Sequence, residues 1–130
     1  MNPTPRKLRV VIADDSSIMR GRLRQYVGAA GCIIVGEASN GDMAYTVAKK
    51  LRPDIVILDV MMPPGSGKET ALRLKAEQLV RDVVVVSSNS QDMIKLPLIA
   101  IGVEWLTKPV NDAQVLDLVN RLRAKREAES

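Results

Sequence analysis

The sequence predicts an α/β fold: a doubly wound, five-stranded parallel sheet of (βα)5 type. Three observations carry that prediction. Five short apolar runs alternate with segments of helical period. The middle runs are β-branched and apolar throughout rather than alternating, as strands covered on both faces must be. Turn-forming residues punctuate the joints, at Asn40-Gly41, Pro63-Pro64-Gly65 and Gly102. No internal repeat, linker or composition break divides the chain, and 130 residues fit one domain spanning 1–130.

The first run is Leu8–Ala13. Ser17 to Ala29 follows as a helix, with Ile18, Met19, Leu23, Tyr26 and Val27 at helical spacing. The second run, Ile33–Ala38, leaves through what reads as a plain turn at Ser39-Asn40-Gly41. Asp42 to Leu51 then carries Met43, Ala44, Val47, Ala48 and Leu51. The third run, Ile55–Leu58, leads to a helix over Lys68 to Val80 with Ala71, Leu72, Leu74 and Leu79. After the fourth run, Val83–Val86, the helical stretch Asp92–Ile101 contains Pro97. An interior proline removes a hydrogen bond and clashes with the preceding turn, so this helix is expected to be short, kinked or irregular. The fifth run, Glu104–Thr107, precedes a helix over Asp112 to Arg123 with Val115, Leu116, Val119 and Leu122; Asn111 or Asp112 can cap it. Parallel neighbours require right-handed crossovers, which put helices on both faces of the sheet.

Composition narrows the chemistry. Hydrophobic residues are 46% and charged residues 26%, so the chain can bury a real core. It has no histidine, which excludes Ser-His-Asp and Cys-His catalysis, His-ligated zinc and a phosphohistidine carrier. Its one cysteine, Cys32, allows no disulfide within the chain, and a cytoplasmic location is the expectation. No apolar run reaches the ~18 residues of a membrane span, and no signal peptide is visible. Net charge is +4, with basic groups gathered at Arg6, Lys7 and Arg9, at Arg20, Arg22 and Arg24, and at Arg121, Arg123, Lys125 and Arg126. Only three aromatics, Trp105, Tyr26 and Tyr45, are available for base stacking, so no direct nucleic-acid binding is expected.

In an open parallel sheet, ligands bind beyond the carboxyl ends of the strands. The first strand ends in Asp14 and Asp15, the third in Asp59, the fourth in Ser87 and Ser88, and the fifth in Thr107, Lys108 and Pro109. Taken singly, each has a plain structural explanation. Asp14, Asp15 and Ser16 suit a helix cap, Asp59 a turn, and Ser87 to Ser90 a loop. Lys108-Pro109 suits a strand end, Trp105 a core position, and Met61-Met62 packing. Taken together they lie on one edge of the sheet. Converging carboxylates repel, which raises pKa values or calls for a cation. Mg²⁺ suits that need, being held by one or two carboxylates with waters and phosphate oxygens. A carboxylate such as Asp59 can then act as nucleophile and become an aspartyl phosphate. Lys108 offers a point cation for a phosphoryl oxygen and Ser87 a hydroxyl donor.

Four stretches complete the pattern: V-V-I-A-D-D-S-S at 10–17, D-I-V-I-L-D-V-M-M-P at 54–63, V-V-V-V-S-S at 83–88 and W-L-T-K-P at 105–109. With them the chain resembles the receiver domain of two-component response regulators, of the chemotaxis-receiver type, over about residues 7–125. The resemblance implies a flavodoxin-like sheet of order 2-1-3-4-5. It makes Asp59 both the phosphoacceptor and a Mg²⁺ ligand, and Asp15 a direct Mg²⁺ ligand. Asp14 becomes the partner of Asp15 through water, and the backbone carbonyl of Met61 a further ligand. Ser87 and Lys108 contact the phosphoryl group, and the Lys108–Pro109 bond is cis. Trp105 stands where the family carries Tyr or Phe, and its bulk is expected to hinder inward rotation. Pro97, the P-G-S-G loop and Ser88 are further departures from the family pattern. The resemblance also puts Met61 and Asn89 at positions that tune phosphoryl lifetime in that family.

The implied partners are a sensor histidine kinase or phosphotransfer protein, and a downstream target or an output domain outside this sequence. The face formed by the fourth helix, fifth strand and fifth helix is the expected output surface and a route to a homodimer. The chain is then a phosphoacceptor that supports its own dephosphorylation rather than an enzyme. Two rivals differ in class. A pseudo-receiver would use the fold as an interaction module without phosphotransfer. An Asp-nucleophile phosphatase would need a substrate pocket and further acid/base groups, for which 130 residues leave little room.

Overall fold

A computed structural model describes residues 6–62, 66–88 and 92–129, the side chains of 92–94 excepted. The elements alternate as β1 (Arg9–Ala13), α1 (Ser17–Ala29), β2 (Ile33–Ala38), α2 (Gly41–Leu51), β3 (Ile55–Asp59), α3 (Gly67–Ala76), β4 (Asp82–Ser87), α4 (Asp92–Ala100), β5 (Glu104–Thr107) and α5 (Asp112–Glu129). The strands form one parallel sheet in the order β2-β1-β3-β4-β5. Among the described residues no helix is long and apolar enough to cross a membrane.

The sheet is covered on both faces, and the period-2 pleat sorts the core into two layers. Val10 and Ile12 point with Ile55, Ile57, Val84 and Val86 toward Leu23 and Val27 of α1 and Val115, Leu118, Val119 and Leu122 of α5. Val11 and Ala13 point with Val56, Leu58, Val83 and Val85 toward Ala44 and Ala48 of α2, Ala71 and Leu74 of α3, and Leu98 of α4. That double cover explains the unbroken apolar runs. β3 and β4 are buried along their whole length. β2 lies at an edge, and most of it is only half-buried.

Helix starts are set by side-chain caps, each occupying a backbone donor that the first turn leaves free. Ser16 accepts from Met19 N–H at 3.2 Å and Ser66 from Glu69 N–H at 3.0 Å. Asn40, which reads as a turn in the sequence, caps α2 by accepting from Met43 N–H at 2.8 Å. Asn111 rather than Asp112 caps α5, in a reciprocal pair with Gln114 at 2.9 and 2.8 Å.

Two helix ends differ from the sequence reading. α3 stops at Ala76 instead of Val80, because Gln78 takes a left-handed backbone (φ 53°) that turns Leu79 and Val80 inward ahead of β4. α5 runs on to Glu129 instead of ending at Arg123. Its last turns lack an apolar stripe and are held by ion pairs instead. Arg126 bonds Asp54 at 3.1 Å and Asp82 at 3.4 Å, Lys125 bonds Asp82 at 3.1 Å, and Arg81 pairs with Glu129. α4 is short, at nine residues with Pro97 inside.

Candidate phosphoacceptor site

Register brings the strand ends together. Ala13 pairs with Leu58, so Asp14 and Asp59 leave adjacent strands side by side. Asp59 pairs with Val86 and Ser87 with Thr107, so Ser87 and Lys108 follow on the same edge. Lys108 N–H donates to the Ser87 carbonyl at 2.7 Å. Asp14, Asp59 and Ser87 are buried, whereas Asp15 is exposed.

The bonds within this edge are specific. Lys108 Nζ lies 2.5 Å from Asp59 Oδ2, and Met61 N–H donates to Asp59 Oδ1 at 2.9 Å. Asp14 Oδ1 accepts from Ser16 N–H at 2.8 Å, while Asp14 Oδ2 is buried without a hydrogen-bond partner. Burial is the main reason the Asp14 carboxyl is pushed up to about 6. The Ser16 N–H opposes the rise, Asp59 adds to it and Lys108 pulls the other way. Burial alone would lower the Lys108 ammonium; its hydrogen bond to Asp59 and the charges of Asp59, Asp14 and Asp15 outweigh that and hold it above its ordinary value.

A buried, unpartnered carboxylate oxygen is costly unless something positive meets it. Among the described residues no three His, Cys, Asp or Glu side chains form a ready-made metal cage. The donor set nonetheless fits Mg²⁺, which uses one or two carboxylates and keeps several waters. Asp14 offers the open oxygen, Asp59 lies beside it, and Asp15 reaches solvent from the next position.

The remaining sequence candidates are placed as follows. Met61 and Met62 separate: Met62 is buried in the core, but the Met61 side chain is 68% exposed, so packing accounts for only one of the pair. Ser16, not Asp14 or Asp15, makes the cap of α1. Trp105 is half-buried against the α2–α3–α4 layer, with its Nε1 buried and unpartnered and Lys95 Nζ 6.0 Å from its ring centroid. The Lys108–Pro109 peptide is cis. Pro63 and Asn89 lie outside the described residues.

Two residues at the site escape sequence reasoning. Arg20 Nη1 donates to the Asp14 carbonyl at 2.6 Å. Gly67, the first residue of α3, packs so closely that a Cβ there would overlap the Asp59 carbonyl oxygen. Ser66 three residues before Glu69 marks the start of this helix in the sequence, but nothing local says that the helix end abuts Asp59.

Comparison with known proteins identifies the family. The sequence model of the response regulator receiver domain matches residues 10–120. The chain is 32% identical over 115 residues to the protein CcdB of Bacillus subtilis, covering 88% of this chain and 96% of that protein. It is 30% identical, with the same coverage, to the chemotaxis protein CheY of Thermotoga maritima. The solved signal receiver domain of NarL from Mycobacterium tuberculosis superposes with a TM-score of 0.80 at 26% identity, over 91% of this chain and 97% of that one. With its strand order, its paired acids and a lysine set against the third-strand aspartate, the chain belongs to the receiver domains of response regulators.

Proposed function

We propose that this chain is a phosphorylation-controlled switch. Asp59 takes a phosphoryl group from a phosphohistidine on a sensor kinase or phosphotransfer protein. The change then reaches a downstream partner, or an output domain, through the α4–β5–α5 face. Aspartate phosphorylation, Mg²⁺ binding and the switching they drive are general to the receiver family. The observation that carries the proposal is the Asp59–Lys108 pair at 2.5 Å beside the unpartnered Asp14 oxygen.

An Asp59 carboxylate oxygen attacks phosphorus in line, the phosphorus–nitrogen bond of the donor breaks, and its electron pair leaves with the imidazole. Bound Mg²⁺ would neutralise charge on the transferring oxygens and on the acids. Asp14, Asp15 and the Met61 carbonyl are the groups to hold it. The Met61 N–H fixes Asp59 before the reaction. Lys108 already bonds Asp59 and passes to a phosphoryl oxygen as the negative charge moves outward. Ser87, buried at the end of β4, supplies a hydroxyl to another. Its displacement and that of Trp105 are the step that alters the output face. Leu96 and Ile99 of α4 are exposed, and a target protein or a second copy of this chain would cover them.

The test is intact mass after incubation with acetyl phosphate and Mg²⁺, with Trp105 fluorescence followed in parallel. One phosphoryl adduct is expected, dependent on Mg²⁺ and lost in Asp59→Asn. A folded wild type that gains no adduct would make the chain a pseudo-receiver. Steady turnover of a small phosphate ester would make it a phosphatase.

A further inference from the structure

We propose that Arg20 is a positioning residue for the acid pair. It grips the main-chain carbonyl of Asp14, is itself held by Glu37 of β2, and so aims the open Asp14 carboxylate oxygen at the cation. The inference rests on the reading of this edge as a Mg²⁺ site.

The Asp14 main chain is held on both sides, by β2 at its N–H and by α1 at its carbonyl. Its N–H donates to the Ala38 carbonyl at 3.0 Å, and its carbonyl accepts from Arg20 Nη1 at 2.6 Å. Arg20 Nε lies 3.4 Å from Glu37 Oε1, and the other Glu37 oxygen takes Arg24 Nη1 at 3.1 Å. Glu37 is therefore fixed between two guanidinium groups. The first turn of α1 closes the arrangement: Arg20 N–H donates to the Ser16 carbonyl at 3.0 Å, and Ser16 N–H holds Asp14 Oδ1 at 2.8 Å. With N–H, carbonyl and Oδ1 all engaged, only Oδ2 remains open. Arg20 also occupies the adjacent main-chain oxygen, a hard donor that would otherwise compete for the cation. An ordinary exposed Arg–Glu pair contributes little. This one ends on the backbone of a buried acid, and its two-pronged reach is a property of guanidinium that lysine lacks.

Charge and positioning predict opposite signs. A fixed positive charge repels a dication, so on charge alone the loss of Arg20 would tighten Mg²⁺ binding. On positioning it weakens binding, since groups that orient metal ligands typically contribute ~10-fold or more to affinity. The experiment is calorimetric titration of the full chain with Mg²⁺, with the metal-free Tm measured alongside. Arg20→Gln is expected to raise the Mg²⁺ Kd about 10-fold. Arg20→Lys keeps the charge but cannot span the Asp14 carbonyl and Glu37, so it is expected to be equally weak; it also decides the matter if Arg20→Gln does not fold. Adding Glu37→Gln to Arg20→Gln is expected to change little further, because Glu37 acts through Arg20. Unchanged or tighter binding by Arg20→Gln, or a wild-type Kd in Arg20→Lys, overturns the assignment while leaving the site. A folded wild type that takes up no Mg²⁺ overturns the cation site and this inference with it.

Discussion

Asp14 is the most strained carboxylate at the candidate site. It is buried, one oxygen has no partner, and its pKa sits at about 6 against ~3.9 for an ordinary aspartate. Without metal, the folded chain therefore holds this proton more tightly than the unfolded chain between about pH 4 and 6. The carboxyl costs nothing below that window, erodes stability as pH rises through it and carries its full penalty above. Asp14→Asn removes the charge. The metal-free Tm at pH 7 is expected to rise by roughly 3 °C, with the gain vanishing near pH 4. Calorimetric scans from pH 4 to 8 check this, and a gain independent of pH would contradict it. The same substitution is expected to abolish stabilisation by Mg²⁺.

Elements position the site through their ends. β1, β3, β4 and β5 each deliver a polar residue to one edge, and α3 is seated against it through Gly67. A methyl group at Gly67 would push α3 off the Asp59 backbone, and overpacking of this kind typically costs ~1–3 kcal/mol. Gly67→Ala is expected to lower the urea midpoint accordingly and to slow phosphorylation of Asp59. A variant with wild-type stability and rate would mean that α3 shifts freely. In the layer on the same face, α4 is short, with Pro97 inside it, and leaves Leu96 and Ile99 exposed. Among the described residues of α4 only Leu98 is buried, so this helix is expected to move readily with a change at Ser87.

At the scale of the whole molecule, the edge opposite the site is an ion-pair floor. Asp54, at the head of β3, accepts from both Arg6 nitrogens at 2.8 Å and from Arg126 at 3.1 Å, and Arg126 reaches on to the buried Asp82. Burial alone would raise the Asp54 carboxyl, but the Arg6 and Arg9 hydrogen bonds and the Arg126 charge outweigh it and hold it down at about 2. A lowered acid stabilises above its unfolded value of ~3.9, and that stability is lost as pH falls toward 2. Asp54→Asn is expected to cost roughly 1–3 kcal/mol at pH 7 and to flatten the acid limb of the stability curve between pH 4 and 2. Denaturant melts across that range check it. None of this floor is legible in the sequence, where the charged stretch Arg121 to Ser130 fits a last helix and the start of a linker equally; ion pairs to the heads of β3 and β4 hold it as helix to Glu129. Likewise the sequence pattern overextends α3, since Leu79 and Val80 keep a helical period while the backbone at Gln78 breaks it. What the sequence determined by itself was the alternation of strand and helix, the double cover of the sheet and the acids and lysine at strand ends. Those are properties of local period and of position within a run. The order of the strands was legible only through the resemblance to receiver domains. Tertiary structure alone decided that Lys108 meets Asp59 across 49 residues of chain, that one oxygen of Asp14 is left open, and that Arg20 and Glu37 hold its backbone. The Lys108–Asp59 contact depends on which strands become neighbours and in what register, and no short window of sequence contains both partners; the Arg20 grip spans only six residues but depends on how the turn into α1 folds and on Glu37 of β2.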